Sequence, residues 1–132
     1  MYIYSNINYD YINYDYVDQS EIKISKKELR TDNVGTCSVL LFSLNNINFL
    51  AHIDAIYTTE TILLNKIKKN FQINDLKKIN IYIIPGEWCD NCYTINLIKN
   101  VLKKLNLSKY KIINGLKWKN SIILNNNLIK II

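Results

Sequence analysis

Residues 31–55, TDNVGTCSVLLFSLNNINFLAHIDA, contain the pattern that decides the fold of this chain. Within them, CSVLLFSL is a continuous apolar run, which is typical of a strand buried on both of its faces. The turn residues NNIN follow, and FLAHIDA returns as a second strand, so residues 37–55 are predicted to form a β-hairpin. Gly35 lets the backbone turn tightly just before the first strand. The hairpin would therefore begin at Cys37 and carry His52 near its far end.

The flanking segments predict a single α+β domain with a mixed, largely antiparallel β-sheet and two helices packed on it. Upstream, EIKIS alternates as a strand does, and the Tyr- and Asn-rich residues 1–18 are expected to form an edge strand or a loosely ordered arm. Downstream, TTETILLNKIKKNF and YTINLIKNVLKKLNL have apolar residues at helical spacing, and Thr58 or Thr59 can cap the first helix. INIYIIPG, YKIIN, NSIILNN and LIKII are expected strands. No linker is visible, so residues 1–132 are predicted to be one domain.

The composition favours a soluble cytoplasmic protein. Its 132 residues are 48% hydrophobic, which is enough to bury a core without a metal or disulfide framework. Three cysteines and the lack of a recognisable export signal favour a reducing compartment. No apolar run approaches the roughly 20 residues that span a bilayer, so no membrane partner is expected. The sequence is rich in Ile, Asn, Lys and Tyr, whose codons are rich in A and T, and this composition is typical of an AT-rich genome. Such a genome suggests a parasite, an intracellular bacterium or a large DNA virus, for which the host cytosol is the alternative location.

The net charge of +6 is compatible with nucleic-acid binding but does not establish it. The lysines are scattered through the sequence as pairs, each of which fits the polar side of a helix or a loop. An AT-rich genome also raises the lysine content without any phosphate to bind. We therefore do not predict a nucleic-acid partner from the composition.

The chain has one histidine, and the predicted hairpin brings it towards a cysteine. Antiparallel pairing places the end of the second strand beside the start of the first, so His52 and Cys37 could approach each other. A Cys–His pair supplies a nucleophile and its base. Thr31 could orient the imidazole, and the backbone N–H groups of Thr36 and Cys37 could form an oxyanion hole. The alternative is a non-catalytic binding domain with a core cysteine and a structural histidine.

The stretch LRTDNVGTCSVLLF, followed by FLAHIDA and a helix, resembles the protein N-terminal asparagine amidohydrolases. It is similar more distantly to the chemoreceptor glutamine deamidases of the CheD type. In the first family a Thr-Cys pair begins a strand of aliphatic residues, and a hairpin returns with a Leu-x-His-x-Asp-like motif. In the CheD-type deamidases a Ser-Cys pair begins the strand, a histidine follows, and a threonine lies six residues before the cysteine. Thr31, Thr36, Cys37, His52 and Asp54 stand at the matching positions.

This resemblance covers residues 16–107 and implies a CheD-like layered sandwich and a cysteine-dependent amidohydrolase. Such an enzyme would deamidate an asparagine or glutamine side chain of a protein or peptide substrate through a thioester acyl-enzyme, without a cofactor. Cys37, His52 and Thr31 would be the catalytic residues. Asp54 and Trp88 are the candidates for the walls of the substrate pocket.

A second motif, WCDNC at residues 88–92, lies between a predicted strand and a predicted helix and leaves three interpretations open. A helix N-terminus lowers the pKa of a thiol, so Cys89 and Cys92 could form a thioredoxin-like redox site. They could instead bind zinc together with His52, as in a nucleobase-deaminase-like enzyme, or with Cys37 in addition, as a Cys₃His site. The third interpretation is a loop that borders the Cys37 site.

Overall fold

A computed structural model describes residues 13–89 and 92–132 of the chain. Most of the predicted N-terminal arm, residues 1–12, lies outside this part, and its end forms an edge strand. The strands are β1 (Tyr14–Tyr16), β2 (Ile22–Ser25), β3 (Glu28–Thr31), β4 (Ser38–Leu44), β5 (Ile47–Ile53), β6 (Ile81–Pro85), β7 (Tyr110–Ile112), β8 (Ile122–Asn125) and β9 (Leu128–Ile131). The helices are α1 (Glu60–Asn70), α2 (Ile73–Leu76) and α3 (Tyr93–Lys104).

The described strands form two mixed sheets, and the predicted single α+β domain is confirmed. One sheet has five strands in the order β2-β5-β4-β6-β7, and the other has four in the order β1-β3-β8-β9. Only the β1–β3 and β6–β7 pairs among them are parallel. The sequence predicts one sheet, and the division into two differs from that expectation. It arises because β3 pairs with β8 near the C-terminus and not with the strands of the five-stranded sheet. The sequence pattern does not predict β3 as a separate strand.

The predicted hairpin is the centre of the five-stranded sheet. β4 pairs with β5 on one side and with β6 on the other, so its backbone is enclosed by two neighbours. Its side chains alternate between two apolar clusters, with Leu40 and Phe42 beneath the helices and Val39 and Leu41 between the sheets. This double burial explains the continuous apolar run, since each buried aliphatic side chain contributes about 1.5–3 kcal/mol.

The helices cover the outer face of the five-stranded sheet. α1 begins after Thr59, whose side chain accepts a hydrogen bond from the N–H of Ile62 at 3.2 Å, as the capping prediction requires. Its buried residues, Leu63 and Ile67, belong to the same apolar cluster as the buried residues of α3. None of the described helices combines the length and the apolar character that a membrane crossing requires.

Candidate active site

His52 is held by Thr31 in the space between the two sheets. Thr31 is the last residue of β3 in the four-stranded sheet, and His52 is the last but one of β5 in the five-stranded sheet. Thr31 Oγ1 lies 2.7 Å from His52 Nδ1, and the two residues are only 1% and 2% exposed. The contact therefore joins the sheets and fixes the direction in which the other ring nitrogen points.

The hydrogen bonds of Thr31 decide which nitrogen of His52 carries the proton. The Thr31 hydroxyl has one hydrogen, which it donates to the carbonyl of Val17 over 2.7 Å. Thr31 Oγ1 must then accept its second bond from Nδ1–H of His52, which assigns the neutral ring as the Nδ1–H tautomer. Nε2 consequently carries a lone pair. This atom is buried and has no hydrogen-bond partner within the described part of the chain.

Cys37 lies on the same face of the hairpin as His52. Val39 is directly opposite His52 in the β4–β5 register, and Cys37 precedes Val39 by two residues. Cys37 also belongs to the apolar cluster between the sheets and is 6% exposed. Diagonal neighbours on one face of an antiparallel pair have Cα atoms about 7–8 Å apart, so the two side chains lie near each other, although no hydrogen bond joins them. The structure thus brings the three predicted catalytic residues into one region.

Burial sets the resting protonation states of Cys37 and His52. The pKa of the Cys37 thiol is raised, because burial disfavours the thiolate and the Asp54 carboxylate repels it. The pKa of His52 is lowered, because burial disfavours the imidazolium more than the carboxylates of Asp18, Asp54 and Asp32 favour it. The pair therefore rests as a thiol and a neutral imidazole, and His52 is suited to act as a general base.

We expect His52 to make the folded state less stable as the pH falls. Its pKa in the unfolded chain is about 6.5. Its folded pKa is lower, so the unfolded chain takes up the extra proton first. The stabilising contribution is therefore complete above about pH 6.5 and is lost below it, by up to about 1.4 kcal/mol per pH unit. Denaturant unfolding between about pH 7.5 and 5 should give a flatter profile for His52→Gln than for the wild type. Parallel profiles would contradict a buried neutral imidazole.

The backbone around Cys37 is held by residues 86–89. The N–H of Gly86 donates to the carbonyl of Cys37 at 2.9 Å. The N–H groups of Glu87 and Trp88 donate to the carbonyl groups of Val34 and Gly35 at 3.1 Å each, in the loop of residues 32–37, here called the Cys37 loop. Among the described residues, no hydrogen bond uses the N–H groups of Thr36 or Cys37. These two groups, predicted as the oxyanion hole, are therefore available as donors.

Asp54, a predicted pocket residue, is occupied by the turn that follows β5. Its carboxylate is buried and accepts hydrogen bonds from the N–H groups of Tyr57 at 2.8 Å and Thr58 at 3.2 Å. The side chain of Gln19 donates a third bond at 3.3 Å. Asp54 thus closes the turn before α1, and its effect on Cys37 is electrostatic, since it favours the protonated thiol.

Trp88, the other predicted pocket residue, lies on the surface beside the loop that leads to Cys37. Its ring stacks on that of Trp118 with 5.4 Å between the centroids, and the two residues are 58% and 43% exposed. Both rings pack over Gly35, where a Cβ atom would lie 2.8 Å from the ring of Trp88. Gly35 leaves room for the stacked rings, because a Cβ atom there would push the ring of Trp88 aside.

Cys89 and Cys92 form a disulfide on the opposite side of the five-stranded sheet from His52, with 5.0 Å between their Cα atoms. Cys92 is the N-cap of α3, as the strand–motif–helix pattern predicts. The hydroxyl oxygen of Ser38 lies 3.2 Å from the Cys89 sulfur, and the hydroxyl oxygen of Thr94 lies 3.1 Å from the Cys92 sulfur. Because Ser38 follows Cys37 in the chain, the disulfide packs against the back of the candidate site.

The alternative zinc site would require His52 to approach Cys89 and Cys92. The structure separates them by the thickness of the sheet, and Cys37 faces the His52 side. In the part of the chain that the structure describes, no three His, Cys, Asp or Glu side chains are grouped so that they could hold a metal ion. The zinc-ligand set that the sequence allows is therefore not assembled.

Three residues of the site escape prediction from the sequence. Val17 contributes only its carbonyl group, which every residue type has, so no sequence signal exists for it. Trp118 reaches Trp88 from a C-terminal loop, and only its aromatic type could have drawn attention to it. Gly86 follows Pro85, and the sequence indicates only that a strand ends there, whereas its close approach to the loop before Cys37 depends on tertiary packing.

Comparisons with known proteins do not assign the chain to a family. No protein-family model matches the sequence, and no curated protein matches it. A function for the chain therefore has to be inferred from the geometry and chemistry of the site.

Proposed function

We propose that the protein is a cysteine-dependent amidohydrolase that deamidates an asparagine or glutamine side chain of a protein or peptide. The observation that carries this proposal is the 2.7 Å contact between Thr31 Oγ1 and His52 Nδ1. It leaves Nε2 as a buried basic atom on the face that bears Cys37, with no hydrogen-bond partner among residues 13–89 and 92–132. Because an unsatisfied buried polar atom costs about 1–3 kcal/mol, its retention favours a role in proton transfer.

In the proposed reaction, the Cys37 sulfur attacks the carbonyl carbon of the amide while His52 Nε2 takes the thiol proton. The N–H groups of Thr36 and Cys37 donate to the oxyanion of the tetrahedral intermediate. The imidazolium of His52 then protonates the amide nitrogen, and ammonia leaves as the thioester forms. Water attacks the thioester with His52 again as the base, which releases a carboxylic acid and restores the Cys37 thiol.

The surrounding charges suit the transient imidazolium of this cycle. The carboxylates of Asp18, Asp54 and Asp32 favour the protonated form of His52, although burial outweighs them in the resting state. Thr31 keeps the ring in place while the charge forms, because its oxygen continues to accept from Nδ1–H. The resemblance of residues 31–54 to asparagine and glutamine deamidases supports an amide as the substrate.

The proposal includes a cytoplasmic location. A nucleophilic thiol such as Cys37 stays reduced there, and the Cys89–Cys92 pair would exist as a dithiol in the same environment. A second candidate function, thiol–disulfide exchange at Cys89–Cys92, is favoured by the position of this disulfide at the start of α3. The half-buried Cys92 would be the sulfur that is attacked.

The proposal is tested by removing the Thr31 hydroxyl and measuring ammonia release from a set of asparagine and glutamine peptides. Thr31→Val keeps the shape of the side chain but leaves the imidazole without its acceptor, so kcat should fall about 10- to 100-fold with little change in KM. Thr31→Ser retains the hydroxyl and should keep most of the activity. Wild-type protein that releases no ammonia from any peptide would refute the proposed function. Equal rates for the two variants would refute the role of Thr31.

A further inference from the structure

The charges of this chain are divided between its two parts. Residues 1–60 contain four basic and eight acidic residues, whereas residues 61–132 contain 13 lysines and three acidic residues. After Asp90 the sequence has eight lysines and no acidic residue at all. An asymmetry of this size within one domain raises the question of where the lysines meet on the surface.

The structure gathers six of the 13 lysines of residues 61–132 around three neighbouring cavities at the end of α3. The largest of the three has a volume of about 420 Å³ and shares Asn106, Leu107 and Ser108 with the second. The second shares Lys77 and Lys109 with a third. Together they form one concave surface, here called the basic groove, whose lysines are Lys77, Lys78, Lys99, Lys103, Lys109 and Lys111. Among the residues that the structure describes, no acidic residue lines any of the three cavities.

We propose that the basic groove binds single-stranded nucleic acid through its phosphate backbone. Lysines that are far apart in the sequence meet here, so their scatter along the chain does not argue against a nucleic-acid partner. Six ammonium groups along a concave path can follow successive phosphates. Tyr110, which lines two of the cavities, offers a ring on which a base can stack, while Asn106 and Ser108 offer hydrogen-bonding groups.

The shape of the groove favours a nucleic-acid strand over other polyanions. A bilayer presents a broad, nearly flat surface to a protein, whereas these cavities are recessed and joined end to end. An acidic peptide would have no base to place on Tyr110. The groove also lies away from the candidate active site, because Ile81, which lines it, begins β6 and Pro85 ends it beside the Cys37 loop. These ends are about 13 Å apart, so the proposal goes beyond the amidohydrolase function and does not depend on it.

The test is fluorescence anisotropy of a labelled oligothymidylate of about 12 nucleotides, titrated with the full chain over a range of salt concentrations. Binding should weaken with salt with a slope in log K of about −4, since each phosphate contact contributes about −0.7. The triple variant Lys77→Glu, Lys103→Glu, Lys109→Glu should flatten this slope by about 2 and weaken binding about 100-fold near 0.1 M salt. All three lysines are exposed, so the fold should be retained.

The matched control reverses the same number of charges elsewhere, at the exposed residues Lys26, Lys119 and Lys130. It should weaken binding less than about threefold, because these lysines do not line the groove. Equal losses in the two triple variants would show that only net charge matters and would overturn the proposal. So would failure of the wild type to bind the oligonucleotide, or tighter binding to polyglutamate or to phosphatidylserine vesicles. Ammonia release by the groove variant reports separately on the amidohydrolase function.

Discussion

Replacement of Cys37 by alanine should reduce ammonia release from asparagine and glutamine peptides by about 10⁴-fold or more, because the reaction loses its nucleophile. The other two cysteines cannot take its place, since Cys89 and Cys92 lie on the other side of the sheet from His52. The change removes a single buried sulfur atom and should lower the free energy of unfolding by only about 1 kcal/mol. Loss of activity with a retained fold would therefore identify a chemical role.

The measurement combines ammonia release with mass spectrometry of acid-quenched reactions. The wild type should carry the acyl group of the substrate on Cys37, and Cys37→Ala should carry none. The double variant Cys89→Ser, Cys92→Ser is the control, because it removes the other cysteines while leaving Cys37 and His52 in place. Ammonia release that survives in Cys37→Ala but disappears in the double variant would refute Cys37 as the nucleophile and assign that role to Cys89 or Cys92.

The hairpin and the relation of Cys37 to His52 could be predicted because they depend on local sequence. A continuous apolar run, two turn asparagines and a returning strand define a register. That register alone puts the two side chains on one face of the sheet. Asn45 and Asn46 both adopt positive φ values of 51° and 64°, which explains the choice of asparagine at the turn.

The depth of the site could not be predicted, because it depends on contacts between distant segments. The second sheet forms only when β3 pairs with β8, more than 90 residues away in the chain. This sheet buries Thr31 and His52 and so lowers the pKa of the imidazole. Sequence spacing indicates that a threonine and a histidine can meet, but the surrounding dielectric is a property of the assembled sandwich.

The basic groove also could not be predicted from the sequence. Lysine pairs in the sequence suggest separate polar faces, and pair by pair that interpretation is reasonable. The groove arises because the end of α3, the segment after α2 and the edge strand β7 converge in space. Neither the order of the lysines along the sequence nor the net charge shows that these three segments meet in space.

Gly86→Ala should be among the most destabilising single substitutions in the chain. A Cβ atom on Gly86 would lie 2.1 Å from the carbonyl oxygen of Gly35 and 2.7 Å from that of Cys37. Both atoms belong to the backbone, so neither can move without breaking the hydrogen bonds that hold the Cys37 loop. We expect the free energy of unfolding to fall by about 3 kcal/mol and Tm by about 10 °C. Calorimetry or circular dichroism measures both.

Gly35→Ala is the matched control for this prediction, because its clash is with side chains instead of backbone. Its Cβ would lie 2.8 Å from the ring of Trp88, which is largely exposed and can swing away. This variant should lose about 1 kcal/mol or less while the tryptophan fluorescence changes, since the stacked rings must separate. If Gly86→Ala were as stable as Gly35→Ala, the segment 86–89 would not be in contact with the Cys37 loop. The N–H groups of Thr36 and Cys37 would then lack the fixed geometry that an oxyanion hole requires.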